Sequence, residues 1–216
     1  MGGDRSFVPP AARARLRGAA VPVALSFGRL GLSPNALTVV GFGIAVLAAV
    51  AAGLQAWLLA AGLVIFGGAF DLLDGALARA TGRVSRFGAF LDSTLDRLGE
   101  GVVYVGVVAA ASAVGDPRLA VLAAGAMVLA FQVSYTRARA EGVGYRGDVG
   151  IAPRAERVVI LTLGLLGAGL DGGVGPGGGG ARWLGLALAV IALLAAVTVI
   201  QRIWYVRSQA HLTQEE

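Results

Sequence analysis

Between Asp71 and Arg97 an otherwise apolar chain carries four aspartates and four arginines. Asp71, Asp74, Gly75, Ala78 and Arg79 fall at i, i+3, i+4, i+7 and i+8, which is one stripe of a helix. Gly88, Asp92 and Asp96 fall at i, i+4 and i+8 and form a second stripe. The intervening ATGRVSRF is a short polar connection. The spacing therefore predicts two antiparallel neighbouring helices whose aspartates face each other just inside one membrane surface. A carboxylate at the centre of a membrane helix costs roughly 2.5–3.5 kcal/mol to insert, so four cost on the order of 10 kcal/mol. Facing one another they repel, and some would take up protons. Arg79 and Arg97 offset part of that charge. Hard oxygen donors at this spacing suit Mg²⁺ or Mn²⁺ more directly. Four carboxylates can hold two such ions about 3.5–4 Å apart, an arrangement suited to phosphoryl-group displacement.

Two other readings compete. Aspartate–arginine pairing at a membrane boundary explains any one of these residues, but not four at helical spacing on two adjacent segments. A divalent-cation transporter predicts acids spread over several spans near mid-membrane, whereas the later apolar segments hold none at their centres.

The elements that must position these residues are apolar. Of 216 residues 56% are hydrophobic and 14% charged, and the mean hydropathy is +0.76. A soluble domain averages about 25% charged residues, so the balance indicates an all-α, polytopic membrane protein. There is no cysteine, which excludes disulfides and thiolate metal sites. The pI near 10.6 comes from arginines scattered between apolar runs. That pattern fits membrane topology and anionic lipid better than nucleic acid. No short apolar core followed by a small-residue cleavage site opens the chain, so no cleavable signal is expected.

Residues 9–32 mix Arg13, Arg15, Arg17 and Arg29 with Ala, Val, Leu and Phe27, and read as an amphipathic helix at the interface. Ser33 and Pro34 then suit a helix start. Apolar segments follow at 36–54, 56–78, 88–114, 117–138, 155–171 and 182–204, each near or above the ~20 residues of a spanning helix. With both termini cytoplasmic, only Arg118 and Arg182 lie outside, as the positive-inside rule favours. Three regions are expected: 1–33, a cytoplasmic segment with the juxtamembrane helix; 34–207, a six-helix domain; and 208–216, a tail in which His211 is solvated. The stretch DGGVGPGGGGAR reads as a flexible outer linker, since it lacks the Lys-Ser/Thr of a phosphate loop.

The segment DLLDGALARATGRVSRFGAFLDSTLD has the pattern D-x2-D-G-x2-A-R-x8-G-x3-D-x3-D. It closely resembles the signature of the CDP-alcohol phosphatidyltransferases, integral membrane enzymes of six spanning helices, at every fixed position. The resemblance implies that Asp71, Asp74, Asp92 and Asp96 ligate two divalent ions, Mg²⁺ or alternatively Mn²⁺. It makes Asp96 the general base for the acceptor hydroxyl. It gives Gly75, Ala78 and Arg79 to the CDP group of CDP-diacylglycerol, with Ser85 adding a hydroxyl contact. PNALT resembles the family's first-helix nucleotide contact and brings Pro34, Asn35 and Thr38 to the cytidine.

The acceptor follows from arginines. Arg137, Arg154, Arg157 and Arg202 share the cytoplasmic face, and converging there they would suit an acceptor that already carries phosphate. The positive-inside rule alone accounts for many such arginines. The blocks SYTRARAE, PRAER and QRIWYVR are similar to those of the actinobacterial phosphatidylinositol-phosphate synthases within the family. Arg137 stands where that subgroup is expected to have lysine, and Ala155 where proline is more usual. The resemblance implies a membrane-bound homodimer that transfers phosphatidyl to inositol phosphate without nucleic acid. The rival inside the family is a phosphatidylglycerol-phosphate synthase using glycerol 3-phosphate.

Overall fold

A computed structural model describes the backbone of residues 10–214 and the side chains of 18–211. Arg5 and the rest of 1–9 lie outside the described residues, as do the side chains of Arg13, Arg15 and Arg17. The described chain is helical, with no strand: α1 Pro10–Arg29, α2 Pro34–Gly53, α3 Trp57–Ala80, α4 Arg86–Ala113, α5 Pro117–Gly142, α6 Arg154–Leu170 and α7 Gly180–Gln214. The helix expected over 9–32 is α1, and the six apolar segments correspond to α2–α7. The chain divides into two compact units, with the boundary between Val107 and Val108 inside α4.

Among the described residues, four helices are long and apolar enough to cross a bilayer: α2, α3, α5 and the Gly180–His211 part of α7. The other two expected spans fall short for identifiable reasons. The first half of α4 carries Arg86, Asp92, Asp96, Arg97 and Glu100, and α6 has only 17 residues, opening with Arg154, Glu156 and Arg157. Leu47, Leu59, Ile65, Val121, Leu186 and Leu193 are exposed, as expected of side chains whose solvent is lipid.

In the first unit the helices approach through small residues, the usual way membrane helices gain close packing. Ser33 caps α2 by accepting from the Ala36 amide at 3.2 Å, with Pro34 in the first turn, as the sequence predicts. A Cβ on Gly41 would meet Phe70 Cβ at 3.3 Å, and one on Gly67 would meet Ile44 Cγ2 at 3.5 Å. Positions 35, 45 and 49 of α2 lie against 88, 99 and 106 of α4, so these two helices run parallel. At the tightest point a Cβ on Gly106 would sit 2.2 Å from the Ala49 carbonyl oxygen. No side chain fits there. α1 packs on α3, where Ala20, Ala24, Phe70, Leu73, Ala76 and Leu77 share one apolar cluster with Leu37 and Ile44 of α2.

In the second unit α6 and α7 meet the same way. A Cβ on Gly164 would lie 2.6 Å from Ala187 Cβ, and one on Gly167 would strike the Trp183 ring. Leu161, Leu165, Leu184, Leu188 and Ile191 are fully buried. The glycine-rich connection after α6 is not simply a linker. Asp171 accepts from Arg182 Nε at 3.0 Å and Nη2 at 2.6 Å, and from Trp183 Nε1 at 2.9 Å. The Arg182 guanidinium, with the Trp183 indole, holds the Asp171 carboxyl below the usual carboxylate range.

Candidate active site

The first unit contains an open cleft of about 150 Å³ lined by the start of α2, the end of α3, the α3–α4 connection and the start of α4. All seven residues expected at the CDP group line it: Pro34, Asn35 and Thr38 from α2, Gly75, Ala78 and Arg79 from α3, and Ser85 from the connection. Asp74 and Asp92 line it as well. Asp71 and Asp96 do not line it.

Local chemistry explains how these groups are held. Asp74 is buried and its Oδ2 accepts from the Thr38 hydroxyl at 2.7 Å. The sequence reading gave Thr38 to the nucleotide; here its hydroxyl orients a carboxylate. One turn earlier on α3, Asp71 lies over α2, its Oδ1 3.6 Å from the point a Cβ on Gly41 would take. The Arg79 guanidinium folds back over Gly75, with Nη1 3.1 Å from where a Cβ would stand. The bare glycine thus lets the guanidinium lie flat along α3. Ser85 caps α4, its Oγ accepting from the Gly88 amide at 2.9 Å. Gly88 is needed for the same fit, because a Cβ there would stand 3.0 Å from Ser85 Oγ and 3.2 Å from Asn35 Oδ1. Arg97 donates to the Ser93 carbonyl of its own helix.

Asp92 and Asp71 both act electrostatically on Asp74, which brings one α4 aspartate toward the two of α3. Among the described residues, however, no three His, Cys, Asp or Glu side chains stand at the spacing of a metal centre. The donor chemistry fits a hard divalent cation, since Asp74 and Asp92 bring carboxylate oxygens to the cleft wall and Asp71 stands one turn before Asp74 on α3. Arg83, Val84 and Ala89 also line the cleft, and the sequence reading missed them. For Arg83 a signal existed: it lies between Arg79 and Ser85, both already assigned.

The four acceptor candidates all belong to the second unit. Arg202 is 6% exposed; its Nε donates to the Val149 carbonyl at 2.8 Å and its Nη1 to the Val133 carbonyl. Arg157 is 1% exposed and donates from Nη1 to the Ala152 carbonyl at 2.9 Å. Arg137 is exposed and pairs with Glu141 at 2.9 Å. Arg137 and Arg157 both act electrostatically on Arg202. Arg154 is the first residue of α6. Nearby, the Arg146 guanidinium holds the Asp148 carboxyl below its ordinary range.

The family model described as CDP-alcohol phosphatidyltransferase matches residues 31–201. The chain belongs to this family. Family membership sets aside the reading of the acidic stripes as a cation-transport path. Similar proteins include the phosphatidylinositol phosphate synthase of Mycolicibacterium smegmatis, 42% identical over 87% of this chain and 83% of that protein. The enzyme of the same name from Mycobacteroides abscessus is 38% identical over the same shares. The archaetidylinositol phosphate synthase of Pyrococcus horikoshii is 37% identical over 85% of this chain and 88% of that protein. Among solved structures, Mycobacterium tuberculosis phosphatidylinositol phosphate synthase with manganese and citrate superposes with a TM-score of 0.79. It is 32% identical and covers 87% of this chain and 88% of its own. The same enzyme with CDP-DAG bound gives 0.77 at 34% identity, covering 87% and 92%.

Proposed function

We infer that this CDP-alcohol phosphatidyltransferase transfers the phosphatidyl group of CDP-diacylglycerol to a hydroxyl of inositol phosphate, releasing CMP. One observation carries the reading: the seven residues matched to the family's nucleotide contacts line a single cleft together with Asp74 and Asp92. The acceptor is supported by what the relatives have in common. Bacterial and archaeal relatives bear names that differ in the lipid and share inositol phosphate. The mutual electrostatic influence of Arg137, Arg157 and Arg202 supports a phosphorylated acceptor, whose charge would offset theirs.

Asp71, Asp74, Asp92 and Asp96 would hold two Mg²⁺ or Mn²⁺ ions, which when bound neutralise charge on the pyrophosphate. The M. tuberculosis enzyme crystallised with manganese supports that choice. Thr38 keeps the Asp74 carboxylate turned toward the cleft. Gly75 and Arg79 bind the CDP phosphates, and Asn35 and Ser85 the nucleoside end. Asp96 takes the proton of the acceptor hydroxyl as its oxygen bonds to the phosphorus that bears diacylglycerol. The phosphorus–oxygen bond to CMP breaks, and CMP leaves with that electron pair.

The same reading makes the molecule a homodimer in the cell membrane, with six spans, both termini and the site cytoplasmic, and α1 along the interface. Residues 34–207 form its catalytic domain, preceded by 1–33 and followed by the tail 208–216. The test incubates purified protein, CDP-diacylglycerol and Mg²⁺ with inositol phosphate, inositol, glycerol 3-phosphate and glycerol, and measures CMP. Release with inositol phosphate alone is the expected result. Release with glycerol 3-phosphate instead assigns the rival acceptor, and release with none overturns the reading.

A further inference from the structure

The stretch 146–152 has no regular secondary structure, yet its backbone is tied to α7 at successive points. Arg146 donates its amide to Gln209 Oε1 at 2.9 Å and accepts from Gln209 Nε2 at its carbonyl at 2.9 Å. Further along, the fully buried Thr198 hydroxyl oxygen accepts from the Ile151 amide at 3.2 Å and the Ala152 amide at 3.0 Å. The same hydroxyl donates to the Leu194 carbonyl at 2.8 Å, so its lone pairs face the connection. Gly150 makes the approach possible. Its φ is +129° and a Cβ would stand 2.3 Å from Thr198 Cγ2. A buried amide left without an acceptor loses most of what a hydrogen bond to water would have given it, so one hydroxyl decides where two peptides sit.

What hangs from these peptides gives the clamp its purpose. Ala152 bonds to Thr198 through its N–H and receives Arg157 Nη1 at its carbonyl. Pro153, with a ring-fixed φ of −60°, joins it to Arg154 at the head of α6. A shift at Ala152 therefore moves both arginines together. We propose that Thr198 and Gln209 are positioning residues for the phosphorylated acceptor, holding Arg154 and Arg157 in place through the α5–α6 connection. This rests on the acceptor role given to those arginines above.

The experiment compares full-length Thr198→Val, Thr198→Ser, Gln209→Ala and Arg154→Ala in CMP-release assays, varying inositol phosphate and CDP-diacylglycerol separately. Thr198→Val is expected to raise the acceptor KM about tenfold, since two buried amides lose their shared acceptor. Its kcat and its KM for CDP-diacylglycerol should stay within about twofold. Thr198→Ser keeps the oxygen and should restore the acceptor KM. Gln209→Ala, at the exposed end of the clamp, should raise it about threefold. Hydrogen exchange at the Ile151 and Ala152 amides should quicken in the Val variant and not in the Ser variant. If Arg154→Ala raises the acceptor KM while Thr198→Val leaves it unchanged or impairs both substrates alike, the positioning role is overturned. An unchanged acceptor KM in Arg154→Ala removes the acceptor reading itself, and the proposal with it. Should Thr198→Val fail to fold, an unaltered acceptor KM in Gln209→Ala overturns the proposal and a raised one supports it.

Discussion

The α3–α4 connection is closed by its own neighbours. Thr81 donates to the Leu77 carbonyl four residues back, and Ser85 accepts from the Gly88 amide three residues on. The α5–α6 connection is fixed by α7, through bonds to residues 46 to 63 positions away. Both present charged groups near the end of a helix. The first does so with a spacing that any reader of the sequence can count. The second does so by a route that exists only once the chain has folded. The motif thus carries most of its cleft, with α2 adding Pro34, Asn35 and Thr38, while the dispersed arginines proposed for the acceptor need a scaffold the motif does not contain.

The contrast can be broken from either side. The largest expected effect is Asp96→Asn, on the order of a thousandfold loss of turnover with the fold intact, as removal of a general base predicts. CMP release and circular dichroism check it, and normal turnover would take the base role from Asp96. Gly150→Ala strikes the other connection, forcing an L side chain into a left-handed backbone against Thr198. It should cost about 3 kcal/mol of stability, read from unfolding in detergent. A loss below ~1 kcal/mol would mean that the connection gives way easily. Thr38→Val keeps the shape and removes the bond to Asp74. About thirtyfold lower kcat/KM is expected, with a rise in the metal concentration needed for half-maximal rate, as for other groups that orient metal ligands. An unchanged metal requirement would return Thr38 to the nucleotide. Smallest is Ser85→Ala, a lost helix cap worth about 1 kcal/mol in thermal unfolding. A larger effect on the KM for CDP-diacylglycerol than on stability would show the hydroxyl serving ligand more than helix.

Much of this was readable beforehand because it is local. The stripes at 71–79 and 88–96 follow from helical periodicity, and Ser33–Pro34 begins α2 as its residue types dictate. Helix ends were less legible. Hydropathy falls after Trp204, yet α7 continues to Gln214, because an apolar run marks the bilayer and a helix can continue through Arg207 and Gln209 into water. The Thr38 bond to Asp74 spans 36 residues, and no spacing rule announces it. Arg202 stands out by its charge, its place at the end of an apolar segment and the block QRIWYVR. That its Nε and Nη1 would be committed to backbone carbonyls depends on where α5 and the connection come to rest.

Where Gly106 meets Ala49, α4 touches α2 backbone to backbone, and a side chain placed there would make that contact a fulcrum against the looser ones at positions 88 and 99. Asp92 lies fourteen residues away on the same rigid rod, an arm of about 20 Å. A tilt of only ~3° at the pivot would swing that carboxylate by about 1 Å, a displacement that can cost about a hundredfold in rate. Enlarging a residue deep among the apolar layers could therefore silence chemistry at the far rim without touching any group that performs it.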